Sequence, residues 1–281
     1  MRLTRSLLCS LFTVALVPAA ILSLAPAGAA APLPDGNGVE VVAHRGASAD
    51  APENTLAAVE EAIAQDADSI EVDVQRTADG HLVLLHDVTL TRTTDVERVF
   101  PDRALDPVGE FTLDELKRLD AGSWFGPEFA GEPIPTFDEL LERTGDRAAL
   151  LIELKEPARY PGIGSEVAAA IGDPRPGVVV QSFDHDVMTA FAAVAPDVPA
   201  GWLFGTRPTT AELDAAAEHA DQVNPSFRVV DEALLAAVAE RGMQTGVYTV
   251  NDEADMRRMI DTGVHRIITD RPGVLRKVLA G

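Results

Sequence analysis

Seven residues of this chain combine type and spacing in a way that could do acid–base and phosphate chemistry: His44, Arg45, Glu71, Asp73, His86, Glu153 and Lys155. Glu71 and Asp73 stand two apart in the apolar run SIEVDV, and Glu153 and Lys155 stand two apart at the end of LIELK. In a strand, residues two apart share a face, so each pair points one way. Three carboxylates turned into one small space repel each other unless a cation neutralises them. An oxygen-only set of this kind suits a hard divalent ion, calcium or magnesium, rather than zinc or copper. The competing reading of Glu71 and Asp73 is an exposed strand paired with Arg76 or Arg92, and the apolar residues flanking both acids argue against it.

His44 and His86 complete the constellation. A lone histidine is more often structural than reactive. Two that converge on a carboxylate cluster from strand ends can divide proton transfer between them, one deprotonating an attacking oxygen and the other protonating a leaving one. Arg45 offers a forked donor suited to a phosphate, and Lys155 can add a point charge. Only three of the 23 cationic side chains are lysines, so a lysine here is not compositional habit. The alternative for either cation is an ion pair within the acidic cluster. Metal, Arg45 and Lys155 together would make a pocket for an anion in a chain whose formal net charge of −22 would otherwise repel one.

These side chains need a scaffold that brings distant strand ends together. Strand-like runs at Val39–Ala43, Ser69–Val74, Ala149–Leu154, Val178–Phe183, Ala200–Phe204, Gln222–Asn224, Thr245–Val250 and Arg266–Thr269 alternate with helical patterns, several of which start at Thr or Asp and stop at Gly. Such alternation predicts a parallel sheet, and eight strands fit a (β/α)₈ TIM barrel, whose active site lies at the carboxyl ends of the strands. An open doubly wound sheet is the structural alternative, but no Gly-rich dinucleotide fingerprint follows the first strand. In EVDVQRTADGHLVLLHD two apolar runs flank TADG, a link too short for a parallel crossover. It predicts a β-hairpin extension of the second strand, and a turn centred near Ala78-Asp79 sets Glu71 opposite His86. A long irregular connection, residues 88–147, follows before the third barrel strand, with helices expected at Leu113–Leu119 and Thr136–Arg143.

The amino terminus reads differently. Arg2 and Arg5 precede an apolar run and then APAGAAAP, the layout of a secretory signal peptide over residues 1–29. Residues 30–38 read as a linker and residues 39–281 as one catalytic barrel. Cleavage would remove the only cysteine, Cys9, so no disulfide framework is available. The acidic balance disfavours nucleic acid and anionic membranes as partners. The mature chain is expected to be secreted, without stable membrane insertion and without an evident protein partner.

AHRGASADAPENT, SIEVDVQRTADGHLVLLHD, LIELK, VQSFD, VYTVN and IITDRP occur in this order and spacing, and together they resemble the glycerophosphodiester phosphodiesterases. The resemblance runs from about Val41 to Pro272 and implies a metal held by Glu71, Asp73 and Glu153. It also implies acid–base roles for His44 and His86 and phosphate contact by Arg45 and Lys155. Phe183, Trp202, Tyr248 and Asn251 are the further candidates for substrate contact, and Tyr248 stands where many relatives carry Trp. The implied reaction cleaves a small-molecule glycerophosphodiester, such as glycerophosphocholine or glycerophosphoethanolamine, to sn-glycerol 3-phosphate and an alcohol. One divalent cation is implied, with Ca²⁺ favoured by the signal peptide and Mg²⁺ the alternative. The rival readings are the same chemistry on lysophospholipids or wall teichoic acid, and a non-catalytic phosphodiester-binding protein, which would be expected to have lost one histidine.

Overall fold

Eight parallel strands close on themselves in a computed structural model that describes residues 38–172 and 176–281. The expected signal peptide and all of the expected linker but Gly38 lie outside the described residues. The barrel strands are β1 (Glu40–Ala43), β2 (Ser69–Arg76), β4 (Ala149–Leu154), β5 (Val178–Ser182), β6 (Ala200–Phe204), β7 (Gln222–Pro225), β8 (Gln244–Val247) and β9 (Arg266–Thr269). Each pairs in parallel with its neighbour, and β1 lies between β9 and β2 and so closes the ring. The fold is a (β/α)₈ TIM barrel with β3 (Leu82–Leu84) added antiparallel to β2.

Helices α1 (Leu56–Ala64), α5 (Ile163–Ile171), α6 (His185–Val194), α7 (Thr210–Ala216), α8 (Glu232–Ala239), α9 (Glu253–Thr262) and α10 (Pro272–Ala280) pack outside the barrel. Local sequence starts several of them. The side chains of Thr55, Asp184, Thr209, Asp231 and Asp252 each accept a backbone N–H in the first turn, where no intrahelical partner exists. The apolar sides of these helices meet outward-facing strand residues such as Ile70, Val72, Ile152 and Val180, all buried in one continuous core.

Inside the barrel the side chains form layers. At the amino ends of the strands Arg266 donates from Nε to Glu40 Oε2 at 2.6 Å and reaches Gln244 at 3.1 Å. Val42, Leu151 and Ile268 form an apolar plug above that. The plug closes the floor, so polar groups further up the strands can face only the mouth.

The hairpin differs from expectation by one residue. The pairs Val74↔Leu84, Gln75↔Val83 and Arg76↔Leu82 centre the turn on Asp79. Continued along β2, that register sets Asp87, not His86, against Glu71, and the Leu85 N–H donates to the Asp73 carbonyl at 3.0 Å. His86 lies where the chain leaves the sheet. The connection after β3 carries α2 (Val96–Val99), α3 (Leu113–Leu116) and α4 (Phe137–Thr144); α3 starts where predicted but ends three residues sooner, and α4 lies one residue further along. Thr112 with Glu115, and Thr136 with Glu139, form capping boxes that start α3 and α4. This segment has its own core, in which Phe111, Leu116 and Ile134 pack against Val83 and Leu85 of the hairpin.

Candidate active site

The mouth is built around Glu71, Asp73 and Glu153, whose carboxylate oxygens lie within 4.8 Å of one another. Strand pairing sets this distance, because Asp73 and Glu153 are register partners on β2 and β4. All three side chains are buried. Burial, then the charges of Asp73 and Glu153, raises Glu71 well above the ordinary glutamate range. Burial and the neighbouring Asp73 push Glu153 up to about 7. For Asp73 burial acts in the same direction, but Arg45, Lys155, His86 and a hydrogen bond from Asn54 outweigh it and hold the carboxyl low.

A cation suits this arrangement. Asp73 Oδ1 is buried and accepts no hydrogen bond, with the Lys155 ammonium 3.6 Å away, and a buried carboxylate oxygen without a hydrogen bond is costly. Three acids, one with an oxygen that accepts no hydrogen bond, are a donor set that could hold a divalent ion with oxygen ligands. Among the described residues Glu71, Asp73 and Glu153 are the one such cluster.

The two cations expected for phosphate lie beside this cluster and are engaged by it. Arg45 donates from NH1 to Glu53 at 2.8 Å, and its Nε lies 3.2 Å from Asp73. Lys155 donates to Glu153 at 2.7 Å and stands 3.6 Å from Asp73. The turn that carries Arg45 is tightly constrained. Arg45 has a φ of 57° and Gly46 one of 84°. A Cβ on Gly46 would fall 2.6 Å from the Ala58 backbone. The Arg45 N–H donates to Glu71 Oε2 at 2.9 Å, which ties the turn to the cluster.

Both histidines are pinned through Nδ1. His44, at the end of β1, meets Asp270 Oδ1 at 2.6 Å. Asp270 is in turn held by Ser48 Oγ at 3.0 Å and Asn251 Nδ2 at 2.5 Å. Burial works to raise the Asp270 carboxyl, and these hydrogen bonds, led by His44, keep it below its ordinary value. His86 meets Asp87 Oδ1 at 2.6 Å. Burial holds the His86 imidazole below its usual range even with Asp73 nearby. In each case the carboxylate holds the ring through Nδ1, so Nε2 is the nitrogen that could exchange a proton.

The remaining candidates divide. Phe183 is exposed at the mouth, edge-on to Tyr248 with ring centroids 5.8 Å apart. A cavity of about 400 Å³ joins Phe183 and Ser182 to Glu153 and Lys155. Tyr248 donates its hydroxyl to the Phe204 carbonyl, and burial with the nearby Glu153 pushes it up to about 12, so it stays protonated. One expectation is corrected. Trp202 faces outward, stacked at 4.3 Å on His185 of α6, because strand alternation turns Gly201 and Leu203 inward instead. That stack also places His185 outside the barrel. Asn251 bonds Asp270 and Thr269 through its amide, so it supports the acid behind His44. Arg76 and Arg92 are not the partners of Glu71 and Asp73. Arg76 pairs with Glu166, and Arg92 with Glu53 and Asp87.

Asn54, Asp87 and Asp270 were not singled out from the sequence, although each lies within a quoted motif. An Asn between a β-strand turn and a helix cap, or an Asp beside a His or after the last strand, was the signal available.

With this geometry established, comparison with known proteins decides the family. The profile of the Glycerophosphoryl diester phosphodiesterase family matches residues 44–274. The chain belongs to this family. It is 39% identical over 239 residues to a glycerophosphodiester phosphodiesterase of Caldanaerobacter subterraneus subsp. tengcongensis, covering 84% of this chain and 95% of that one. A glycerophosphodiester phosphodiesterase of Bacillus subtilis is 34% identical over 260 residues, with 85% and 86% covered. Among solved structures, an Oleispira antarctica phosphodiesterase in complex with sn-glycerol-3-phosphate superposes with a TM-score of 0.79 at 27% identity, over 86% of this chain and 97% of that one. The phosphodiesterase family match begins at His44 and includes both histidines and all three acids.

Proposed function

We propose that this glycerophosphodiester phosphodiesterase is an exported, metal-dependent enzyme that releases sn-glycerol 3-phosphate and an alcohol, with His44 and His86 sharing the proton transfers. The observation that carries this reading is the pair of imidazoles, each anchored on an aspartate through Nδ1, beside a buried three-carboxylate cluster. Glu71, Asp73 and Glu153 would hold the ion. When bound, a divalent cation supplies Lewis-acid polarisation of the phosphoryl group and offsets the charge that grows on its oxygens.

The protein's own groups do the rest. Arg45 and Lys155 bring two fixed positive charges to the edge of the cluster, which orients an anionic diester that the chain as a whole would repel. Nε2 of one histidine removes a proton from the attacking oxygen as that oxygen bonds to phosphorus. As the phosphorus–oxygen bond to the alcohol breaks, Nε2 of the other ring gives a proton to the departing alkoxide, which is too basic to leave unaided. Calcium is the favoured ion for an exported protein, with magnesium second. Small glycerophosphodiesters such as glycerophosphocholine and glycerophosphoethanolamine are the favoured substrates. A second reading, the same reaction on lysophospholipids, draws on exposed Trp124, which packs edge-on against Phe125 in the connection beside the barrel.

The test is release of glycerol 3-phosphate from glycerophosphocholine by the mature chain, after chelation and after calcium or magnesium is restored, with His44→Ala and His86→Ala alongside. Metal-dependent release abolished by both substitutions supports the reading. Turnover that survives chelation, or survives either substitution, overturns the metal or the histidine assignment. Faster turnover of lysophosphatidylcholine than of the soluble diester would replace the substrate. Amino-terminal sequencing of protein recovered from culture medium tests export and the cleavage point.

A further inference from the structure

The connection between hairpin and barrel sends one side chain back to the active site. Arg92 donates from Nε to Asp87 Oδ2 at 2.5 Å. It also takes Glu53 in a two-pronged grip, NH1 to Oε2 at 2.6 Å and NH2 to Oε1 at 2.8 Å. Glu53 Oε1 accepts a further bond from Arg45 NH1 at 2.8 Å. A continuous chain therefore runs from His86 through Asp87, Arg92 and Glu53 to Arg45. It joins the exit of the hairpin to the turn after β1, two segments that no strand pairing connects.

We propose that Arg92 is a positioning residue for this reaction: its guanidinium locks Asp87 against His86 and, through Glu53, sets Arg45 relative to His86. The inference rests on the proposed role of His86. Only a planar fork can satisfy this geometry, since three nitrogens serve two carboxylates at once, and a lysine ammonium would be a single point charge. An isolated exposed ion pair contributes little to stability, and Arg92 is 43% exposed on its side chain. Its worth is therefore orientation: small displacements of a proton-transfer group carry large rate costs. With one oxygen of Asp87 held by Arg92, only the other faces His86 Nδ1. Hydrogen bonds from Arg92 and His86 keep Asp87 ionised, at about 2, against the effect of burial.

The experiment compares wild type, Arg92→Gln, Arg92→Lys and His86→Ala, each checked for folding by circular dichroism. Three readouts are taken: kcat and KM for glycerophosphocholine, calcium affinity by calorimetry, and the His86 titration by NMR in metal-free protein. The groups acting on that ring are Asp73, Asp87, Arg45 and Lys155. Removing Arg92 leaves the full charge of Asp87 to His86, so the imidazole should titrate at higher pH in Arg92→Gln. The expected result is a kcat lowered roughly ten- to a hundredfold, with KM and calcium affinity within about twofold. Arg92→Lys should restore the titration more than it restores kcat. Unchanged kcat and unchanged titration in a folded Arg92→Gln would overturn the inference. Full activity in His86→Ala would instead overturn the reading on which it rests, and the two failures are separable because the titration does not require turnover.

Discussion

Asn54 and Asp73 exchange two hydrogen bonds. Asn54 Nδ2 donates to Asp73 Oδ2 at 2.8 Å, and the Asp73 N–H donates to Asn54 Oδ1 at 3.0 Å. Asn54 holds a φ of 57° and is buried, and its own N–H donates to the Arg45 carbonyl at 3.0 Å. Asn54 thus aims a proposed metal ligand with its side-chain amide and braces, with its backbone N–H, the turn that bears Arg45, the proposed phosphate contact. The Asp73 oxygen left over, Oδ1, is the one that accepts no hydrogen bond.

Asn54→Ala should therefore weaken metal binding without removing a ligand. Groups that orient ligands typically contribute roughly ten- to a hundredfold in affinity. Calorimetric titration of calcium or magnesium into the chelated protein checks this, and affinity equal to wild type would show that Asp73 orients itself.

Asp270→Asn tests the support behind His44. An amide can keep the contact but can donate to Nδ1, which favours the wrong tautomer and moves the free proton to Nε2. The expected loss is roughly a thousandfold or more in kcat, by the precedent of orienting aspartates elsewhere, with metal affinity unchanged. A kcat within about threefold of wild type would mean that His44 is oriented by its backbone bond to Thr269 rather than by Asp270.

Gly46→Ala addresses the turn itself. At a φ of +84° an alanine is strained, and its Cβ would meet Ala58 carbon and oxygen at 2.6 Å, which are backbone atoms with nowhere to go. The cost should be about 2–4 kcal/mol, read from urea unfolding midpoints. A change under about 0.5 kcal/mol would show that the turn between β1 and α1 adapts.

Much of this site was legible because strand periodicity carries orientation. Spacing alone paired Glu71 with Asp73 and Glu153 with Lys155, and the barrel reading brought the two strand ends together, since β2 and β4 are regular strands. The same rule, not pursued at β6, would have turned Trp202 outward as the alternate of Gly201. The hairpin register missed by one residue because it depends on the turn centre, and TADG offers two neighbouring centres. Asp270 was hidden for a different reason: it meets His44 across 226 positions of sequence. Only ring closure, β1 beside β9, brings them together. Arg92 lies in a segment with no barrel periodicity, where nothing in the sequence says which way a side chain points.

Glu153 links metal binding to pH. Its carboxyl is pushed up to about 7 by burial and by Asp73, from an ordinary value of 4.5. Between those values the metal-free fold retains a proton that the unfolded chain has released. The folded state binds more protons there, so this group makes the metal-free protein less stable as pH rises through the window. Burial lowers His86 and His265, and their contribution has the opposite sign, growing as pH rises through the ordinary imidazole range. Comparison with Glu153→Gln isolates this glutamate together with the part of the Glu71 rise that its charge causes, which has the same sign. In chelator, the melting temperature of wild type should fall relative to that of Glu153→Gln between about pH 5 and about pH 8. A metal needs the deprotonated ligands, so added calcium or magnesium should raise the wild-type melting temperature more at the higher pH. The same addition should do little for Glu153→Gln. A metal-induced rise that is equal at both pH values, or undiminished by the substitution, would take Glu153 out of the metal site.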